Sequence, residues 1–355
     1  MKTAVFYGGP DIRVEEVALP QAGDGEVLVQ VAAAGICGSD LHYYRGEDPW
    51  GSAVWPQRIG HELAGVVVEV GSGVAHCHVG QRVGVEPMHL KGCGRCRLCR
   101  RGDYHLCPER GLHHGVRRTS RGFAEFDLVA EANVFPLPDS LPLEVGALAD
   151  VYACAVHALH RAPLTPLDSV VVFGTGPVGL AVGQVARLQG CRQTILVGRR
   201  DAALAAGLAM GAADRVINSQ REDVAAAVQA ATDGWGADVV FESVGGAGLA
   251  LPPAVAVAAR GGVVVLLGAF HHDVSVVYRE ANRRELDLRW SSSYSTWSGV
   301  REFQLALDLI AQGRVAAAPM LTHRFPLTRI GEAFATANDR AASGAVKVLV
   351  EPAAL

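Results

Sequence analysis

Charged side chains are scarce in this 355-residue sequence, at 19%, and aromatic ones make up 6%, against 50% hydrophobic residues. That balance excludes a chain kept open by its own charge and describes a compact soluble protein. No uninterrupted apolar run of about eighteen residues free of Gly or charge occurs, so no transmembrane helix is expected. No signal-like stretch opens MKTAVFYGG, and no repeat or low-complexity linker interrupts the chain, which fits a cytoplasmic location. An excess of positive charge is missing too: 32 Lys and Arg against 36 Asp and Glu leave a net charge of -4. Neither nucleic acid nor an anionic membrane is drawn to a net acidic surface, so no partner of either kind is expected.

What is present is concentrated. Four of the eight cysteines, Cys93, Cys96, Cys99 and Cys107, lie in GCGRCRLCRRGDYHLC. Their C-x2-C-x2-C-x7-C spacing lets four thiolates converge on one tetrahedral Zn²⁺, with Gly92, Gly94 and Gly102 supplying turns and Pro108 ending the lobe. Disulfides are the competing reading, and they sit poorly with a reducing compartment and with Cys37, Cys77, Cys154 and Cys191 scattered elsewhere. A closed structural zinc site is expected.

The length suggests two domains. To about Asp150 the pattern is short β-rich runs such as EVLVQVAAAG and LAGVVVEVG broken by Gly, Pro and Asp, an irregular all-β domain. Between about Leu167 and Trp290, apolar strands (SVVVFG, TILVG, ADVVFESVG, GGVVVLLG) alternate with Ala-rich amphipathic helices, which is parallel βαβ architecture. Then REFQLALDLIAQGRV reads as a helix, and THRFPL, IGEAFATAN and AVKVLVEP as strand, helix and strand. The fold class is therefore α/β, divided as an irregular β domain over 1–153 with the cysteine lobe at 92–108, a doubly wound parallel-sheet (Rossmann-type) domain over 154–290, and a return to the first domain over 291–355.

Gly174-Thr175-Gly176-Pro177-Val178-Gly179 follows the apolar run Val170 to Phe173 and opens a helix beginning near Leu180. In that context the glycines turn the chain, admit a pyrophosphate close to the backbone, and pack helix on strand, with the phosphates at the helix N-terminus. The next strand, Thr194 to Val197, runs into Gly198-Arg199-Arg200 where an acidic residue normally holds the adenosine ribose. Without the carboxylate a 2′-phosphate is not repelled, and two guanidiniums can pair with it, so NADP is favoured while NAD remains open.

Gly35-Ile36-Cys37-Gly38-Ser39-Asp40-Leu41-His42-Tyr43 and Gly60-His61-Glu62 supply a thiolate, an imidazole and a carboxylate suited to a second Zn²⁺. Singly, such a Cys is more often a small buried hydrophobe and such a His a hydrogen-bonded structural residue.

With these motifs in order along essentially its whole length, the chain resembles the zinc-dependent medium-chain dehydrogenase/reductase family, the alcohol and polyol dehydrogenases. The signature GHExxGxxxxxGxxV is met by Gly60, His61, Glu62, Gly65, Gly71 and Val74, and GICGSDLHYY is similar to the sorbitol and idonate branch. The resemblance implies a GroES-like first domain and one catalytic and one structural zinc per chain. It makes Cys37 and His61 catalytic-zinc ligands, Glu62 a close or interchangeable one, and Asp150 the third, with Cys154, one helical turn later, its rival. Polyol dehydrogenases often carry Glu-Pro where this chain has Asp150-Val151, which is closer to bacterial secondary-alcohol dehydrogenases. Ser39 and His42 match the family's proton relay, and Tyr43 matches either a substrate contact or an aromatic wall. An Arg used by the polyol branch is absent: Trp290 to Tyr294 stands there, with Ser293 nearest.

The implied activity is hydride transfer between a secondary alcohol, polyol or cyclitol-like substrate and NADP, reversible to the ketone. NAD-linked oxidation of a polyol or sugar acid is the alternative. Arg95, Arg97, Arg100 and Arg101 in the cysteine lobe raise a remoter one, a zinc-ribbon nucleic-acid or assembly module on an inactive oxidoreductase fold. His76, His78, His89, His105, His113 and His114 fit no complete ligand set and are expected at surface or supporting positions, with His157 in the linking helix. The family also implies a homo-oligomer, dimer or tetramer, for which GGVVVLLGAF and DVSVVYRE are the candidate edge.

Overall fold

The computed structural model describes residues 1–49, 51, 53–87, 92–109 and 121–352, so His89, His113 and His114 lie outside the described residues. The chain divides into two compact units. One comprises Met1–Ala153, Ser295–Gly313 and Leu321–Leu355, the other Cys154–Tyr294 and Arg314–Met320.

The first unit opens with the antiparallel pair β1 (Lys2–Phe6) and β2 (Ile12–Glu16), then β3 (Glu26–Gly35), α1 (Gly38–Tyr44), β4 (Glu62–Val70) and β5 (Arg82–Val85). The short helix α2 (Arg97–Arg101) lies in the cysteine lobe, followed by β6 (Phe126–Ala130), β7 (Val134–Pro136), α3 (Leu143–Gly146) and α4 (Ala149–Arg161). Val27, Val29 and Val31 of β3 alternate inward onto a core shared with Leu63 and Val67 of β4, the period-two pattern of a half-buried strand.

In the second unit β8 (Ser169–Phe173), α5 (Pro177–Leu188), β9 (Gln193–Gly198), α6 (Asp201–Ala209), β10 (Arg215–Asn218), α7 (Val224–Ala231), β11 (Ala237–Glu242), α8 (Leu251–Val257), β12 (Ala258–Leu266), α9 (Tyr278–Arg283) and β13 (Asp287–Trp290) follow in sequence. The strands form one parallel sheet in the order β10-β9-β8-β11-β12-β13. That is the doubly wound order, whose connections reverse direction beside β8 and leave the binding crevice at the carboxyl ends of the strands there. Val170, Val171 and Val172 have no exposed surface, as expected for a strand covered on both faces.

The chain then returns to the first unit through β14 (Thr296–Trp297), β15 (Val300–Arg301), α10 (Glu302–Ala311), β16 (Leu321–Pro326), α11 (Ile330–Asn338), α12 (Arg340–Ser343) and β17 (Lys347–Glu351). β17 joins β3 antiparallel, pairing Leu349 with Gly35, in the sheet order β16-β17-β3-β4-β5-β7.

Two sequence expectations need correction. α5 starts at Pro177 rather than near Leu180, because Gly176 is the N-cap and proline at the first helical position costs no hydrogen bond. DVSVVYRE is not a strand: 273–277 is irregular and the segment runs into α9, and the strand that ends the sheet beside β12 is β13.

Candidate functional site

Cys93, Cys96, Cys99 and Cys107 place their sulfurs within 4.8 Å of one another, and no cysteine among the described residues is in a disulfide. Cys96 Sγ and Cys107 Sγ are 3.9 Å apart. Thiolates about 2.3 Å from a tetrahedral Zn²⁺ stand roughly 3.8 Å from each other, so the spacing fits that ion and is far too long for an S–S bond. Backbone N–H groups of Cys93 and Cys96 donate to Cys107 Sγ and Cys93 Sγ at 3.2 and 3.3 Å, stabilising negative sulfur. The Cys99 N–H does the same for Cys96 and brings its thiol down to about 7, while burial pushes Cys99 up to about 12. A Cβ on Gly92 would meet Cys99 Sγ at 2.2 Å, so only glycine lets the chain close over the cluster. Tyr104, between Cys99 and Cys107, anchors this lobe by donating to Oε1 of fully buried Glu86 at 2.6 Å. The other oxygen of Glu86 has no hydrogen bond of ordinary geometry but is in ionic contact with Arg301, whose pKa burial lowers to about 10. Of the lobe's four arginines, Arg95 and Arg101 are paired with Glu109 and Asp103, which reduces the free positive charge.

A second group brings Cys37, His61 and Glu62 together, again with ligand atoms within 4.8 Å of one another. Each is placed by a different local rule. Cys37 is the N-cap of α1, and its N–H donates to Oδ2 of Asp40 at 2.9 Å, one half of a capping box. Asp40 Oδ1 lies 3.5 Å from His61 Nδ1, so one buried carboxylate holds both the Cys37 turn and the imidazole. This leaves His61 Nε2 directed toward the group, 3.5 Å from Ser39 Oγ. Burial opposes charge on His61, but Asp40 and Cys37 together outweigh it and hold the imidazole well above its ordinary pKa. Glu62 opens β4 opposite Gly35, where any Cβ would come within 2.2 Å of its Oε2. The same oxygen is in an ion pair with Lys347, from β17, whose Nζ also donates to Ile36 O at 3.1 Å. Both side chains are 2% exposed.

The donor set of thiolate, imidazole and carboxylate fits Zn²⁺. Asp150 is not in the group of three; it is buried in the first turn of α4, where the helix N-terminus favours a carboxylate. Cys154 lies one turn further along α4 and is likewise outside the group. Ser39 and His42 sit on α1, with His42 buried and its Nδ1 2.7 Å from Glu47 Oε2. Tyr43 packs edge-on to Trp55 at 5.5 Å and against the core. Among the other histidines, His76 and His78 are in the loop between β4 and β5, His105 is buried in the cysteine lobe, and His157 is buried in α4.

In the second unit Gly174 has φ +116°, and a Cβ there would strike Ser243 Oγ at 2.5 Å; one on Gly179 would meet Gly174 O at 2.1 Å. Gly176, Pro177 and Val178 carry this turn into α5, whose first N–H groups have no helical partner and are available to an anion. β9 ends at Gly198, packed on Thr175, beside exposed Arg199, which has no ion pair or hydrogen bond among the described residues, and Arg200, the N-cap of α6. The arrangement suits a pyrophosphate on α5 and a further anion at the arginines. Ser293 lies in the second unit with φ +60°.

Sequence reasoning did not single out Asp40, Lys347 or Glu47. Asp40 carries a local signal, an acidic residue three positions after the cap. Lys347 carries none, because its partner is 285 residues away.

Residues 23–139 match the alcohol dehydrogenase GroES-like domain family, and residues 177–312 the zinc-binding dehydrogenase family. The chain is 33% identical over 341 residues to D-arabitol-phosphate dehydrogenase of Enterococcus avium, covering 95% of this chain and 92% of that protein. It is 34% identical over 354 residues to a sorbitol dehydrogenase of Arabidopsis thaliana, covering 98% and 94%. The structure of galactitol-1-phosphate dehydrogenase from Escherichia coli superposes with a TM-score of 0.87 at 28% identity, covering 99% of this chain and 100% of that one. Among the described residues no helix is long and apolar enough to cross a membrane.

Proposed function

Because the chain belongs to the zinc-dependent medium-chain dehydrogenase family, we propose that it interconverts a secondary alcohol, polyol or cyclitol-like substrate and the corresponding ketone, with NADP as the hydride partner. The observation that carries this reading is the convergence of Cys37, His61 and Glu62 in one unit, alongside the glycine turn into α5 and the Arg199-Arg200 pair after β9 in the other.

Cys37 and His61 would hold a catalytic zinc, with Asp150 contributing from the start of α4. The metal's charge would favour the deprotonated form of the substrate hydroxyl near neutral pH, and the nicotinamide would exchange the hydride. The protein's own residues supply the rest. Asp40 fixes the His61 tautomer by holding Nδ1, so that Nε2 is the atom offered to the metal. Lys347 neutralises Glu62 and ties it to Ile36, keeping this carboxylate in reserve as a nearby ligand. Ser39 Oγ receives the proton released by the substrate, and His42, whose Nδ1 is engaged by Glu47, takes it onward at Nε2. A second, structural zinc would occupy the four-cysteine lobe.

Self-association through β13 accords with this reading, since that strand closes one edge of the parallel sheet and its Trp290 is 66% exposed. The direct test of function is a screen of zinc-replete protein with NADP and NAD against short secondary alcohols, polyols, cyclitols and sugar acids. Turnover of secondary alcohols or polyols with NADP is expected. Turnover confined to sugar acids with NAD would replace this reading with sugar-acid oxidation, and none with any pair would overturn it.

A further inference from the structure

Away from the metal and dinucleotide residues, the first unit contains a cavity of approximately 550 Å³. Its walls include Val5 of β1, Val17 and Pro20 from the segment after β2, Pro56, and the two arginines Arg58 and Arg121. None of Cys37, His61, Glu62 or Asp150 lines it. A space of this size matches pockets that hold small organic ligands, and the Val and Pro side chains give it an apolar wall.

The arginines are its distinctive feature. Both are partly buried, and neither guanidinium has an ion pair or hydrogen bond among the described residues. Burial, and then the like charge of Arg121, lower the pKa of Arg58, so the two groups are close enough to repel each other. Among the described residues one carboxylate stands near them, that of buried Asp127, and it is partly engaged by the backbone N–H of Arg121 at 3.1 Å. Burial pushes Asp127 up to about 6 despite both arginines, so its own charge is held at a disadvantage. Two guanidiniums therefore share one compromised counter-charge. Leaving cations half-desolvated and unpaired is unfavourable, whereas the planar fork of arginine pairs well with phosphate and carboxylate oxygens.

We propose that this cavity is a binding site for a small phosphate- or carboxylate-bearing metabolite, held by its anionic group between Arg58 and Arg121 with its carbon portion against Val5, Val17 and the prolines. The site is separate from the residues assigned to chemistry, so its ligand acts as an effector. Arg58 lies three residues before His61, and the two segments leading from the arginines are joined by the Gly122 N–H donating to Gly60 O at 2.9 Å.

The test uses the whole protein and two probes, inorganic phosphate and succinate, each against chloride at matched ionic strength. Melting temperature and calorimetric titration are followed in the wild type, Arg58→Gln and, as an independent second variant, Arg121→Gln. In chloride, Arg58→Gln is expected to melt at or above the wild type, because a like-charge repulsion is removed. With phosphate or succinate the wild type should gain melting temperature saturably, and each variant should bind at least about tenfold more weakly, the loss of one charge-assisted pair. The stronger probe identifies the ligand's head group. Equal shifts in wild type and both variants, or no saturable shift of the wild type with either probe, would overturn the proposal.

Discussion

Lys347 and Glu62 form an ion pair in which both side chains are 2% exposed, one from the last strand of the first unit and the other directly after His61. The pair couples the far end of the chain to the proposed catalytic metal site. Removing one member leaves the other charge buried alone, which typically costs about 3–5 kcal/mol, whereas replacing both with apolar side chains is often neutral. Lys347→Met is therefore expected to lower unfolding free energy by about that amount in urea, with Glu62→Leu/Lys347→Met recovering most of it. Equal losses in the single and double variants would show that the pair is not the source.

The four-cysteine lobe should matter for structure before chemistry. Its closed thiolate shell leaves no ligand position for substrate. Cys99→Ser is expected to reduce zinc content by one ion per chain and to lower stability by several kcal/mol, on the order of structural zinc sites. Turnover per folded molecule should change far less. Metal analysis combined with thermal unfolding checks this, and a variant lacking that zinc yet equally stable would contradict it.

The proposed preference for NADP rests on Arg199 and Arg200, which directly follow β9. Arg199→Ala should lower kcat/KM for NADP by about 10- to 100-fold, the range of one hydrogen bond to a charged group, and leave NAD nearly unaffected. Unaltered discrimination would remove the arginine from the 2′-phosphate site.

Asp127 supplies a pH signature. Its folded-state pKa is raised to about 6 from an ordinary 3.8, chiefly by burial. Between those values the folded protein binds more protons than the unfolded chain, so this residue's contribution to stability falls as pH rises through the window. Its cost is fully present at neutral pH and absent below the ordinary carboxylate range. Asp127→Asn should be more stable than the wild type by about 2–3 kcal/mol at pH 7 and equal to it below about pH 3, measured by denaturant unfolding. A difference independent of pH would rule out the carboxyl as its origin.

The parts of the fold set by local pattern were legible in the sequence. SVVVF and TILVG read as strands because both their faces are covered, and GTGPVG reads as a phosphate turn because its glycines have no steric substitute. Cysteine spacing likewise announces the lobe. α1 was not foreseen: it is seven residues long and capped by a cysteine where Ser or Thr would have signalled it. DVSVVYRE alternates like a strand yet forms none, since the place beside β12 is taken by β13 and β propensity takes effect only against a partner. Lys347 with Glu62, and Arg301 with Glu86, were invisible for a different reason: both pairs are made by the return of the chain, and nothing near either residue in sequence indicates its partner.

Alcohol oxidation is proposed to depend on a metal held by Cys37 and His61. The most direct test is the rate of NADP reduction by zinc-replete wild type, Cys37→Ser and His61→Ala with the best alcohol from the screen, with NADP affinity measured alongside. Both variants are predicted to lose turnover by at least about a thousandfold, or roughly 4 kcal/mol of transition-state stabilisation, while binding NADP nearly as well. Turnover retained in both variants would rule out a catalytic metal at these two residues.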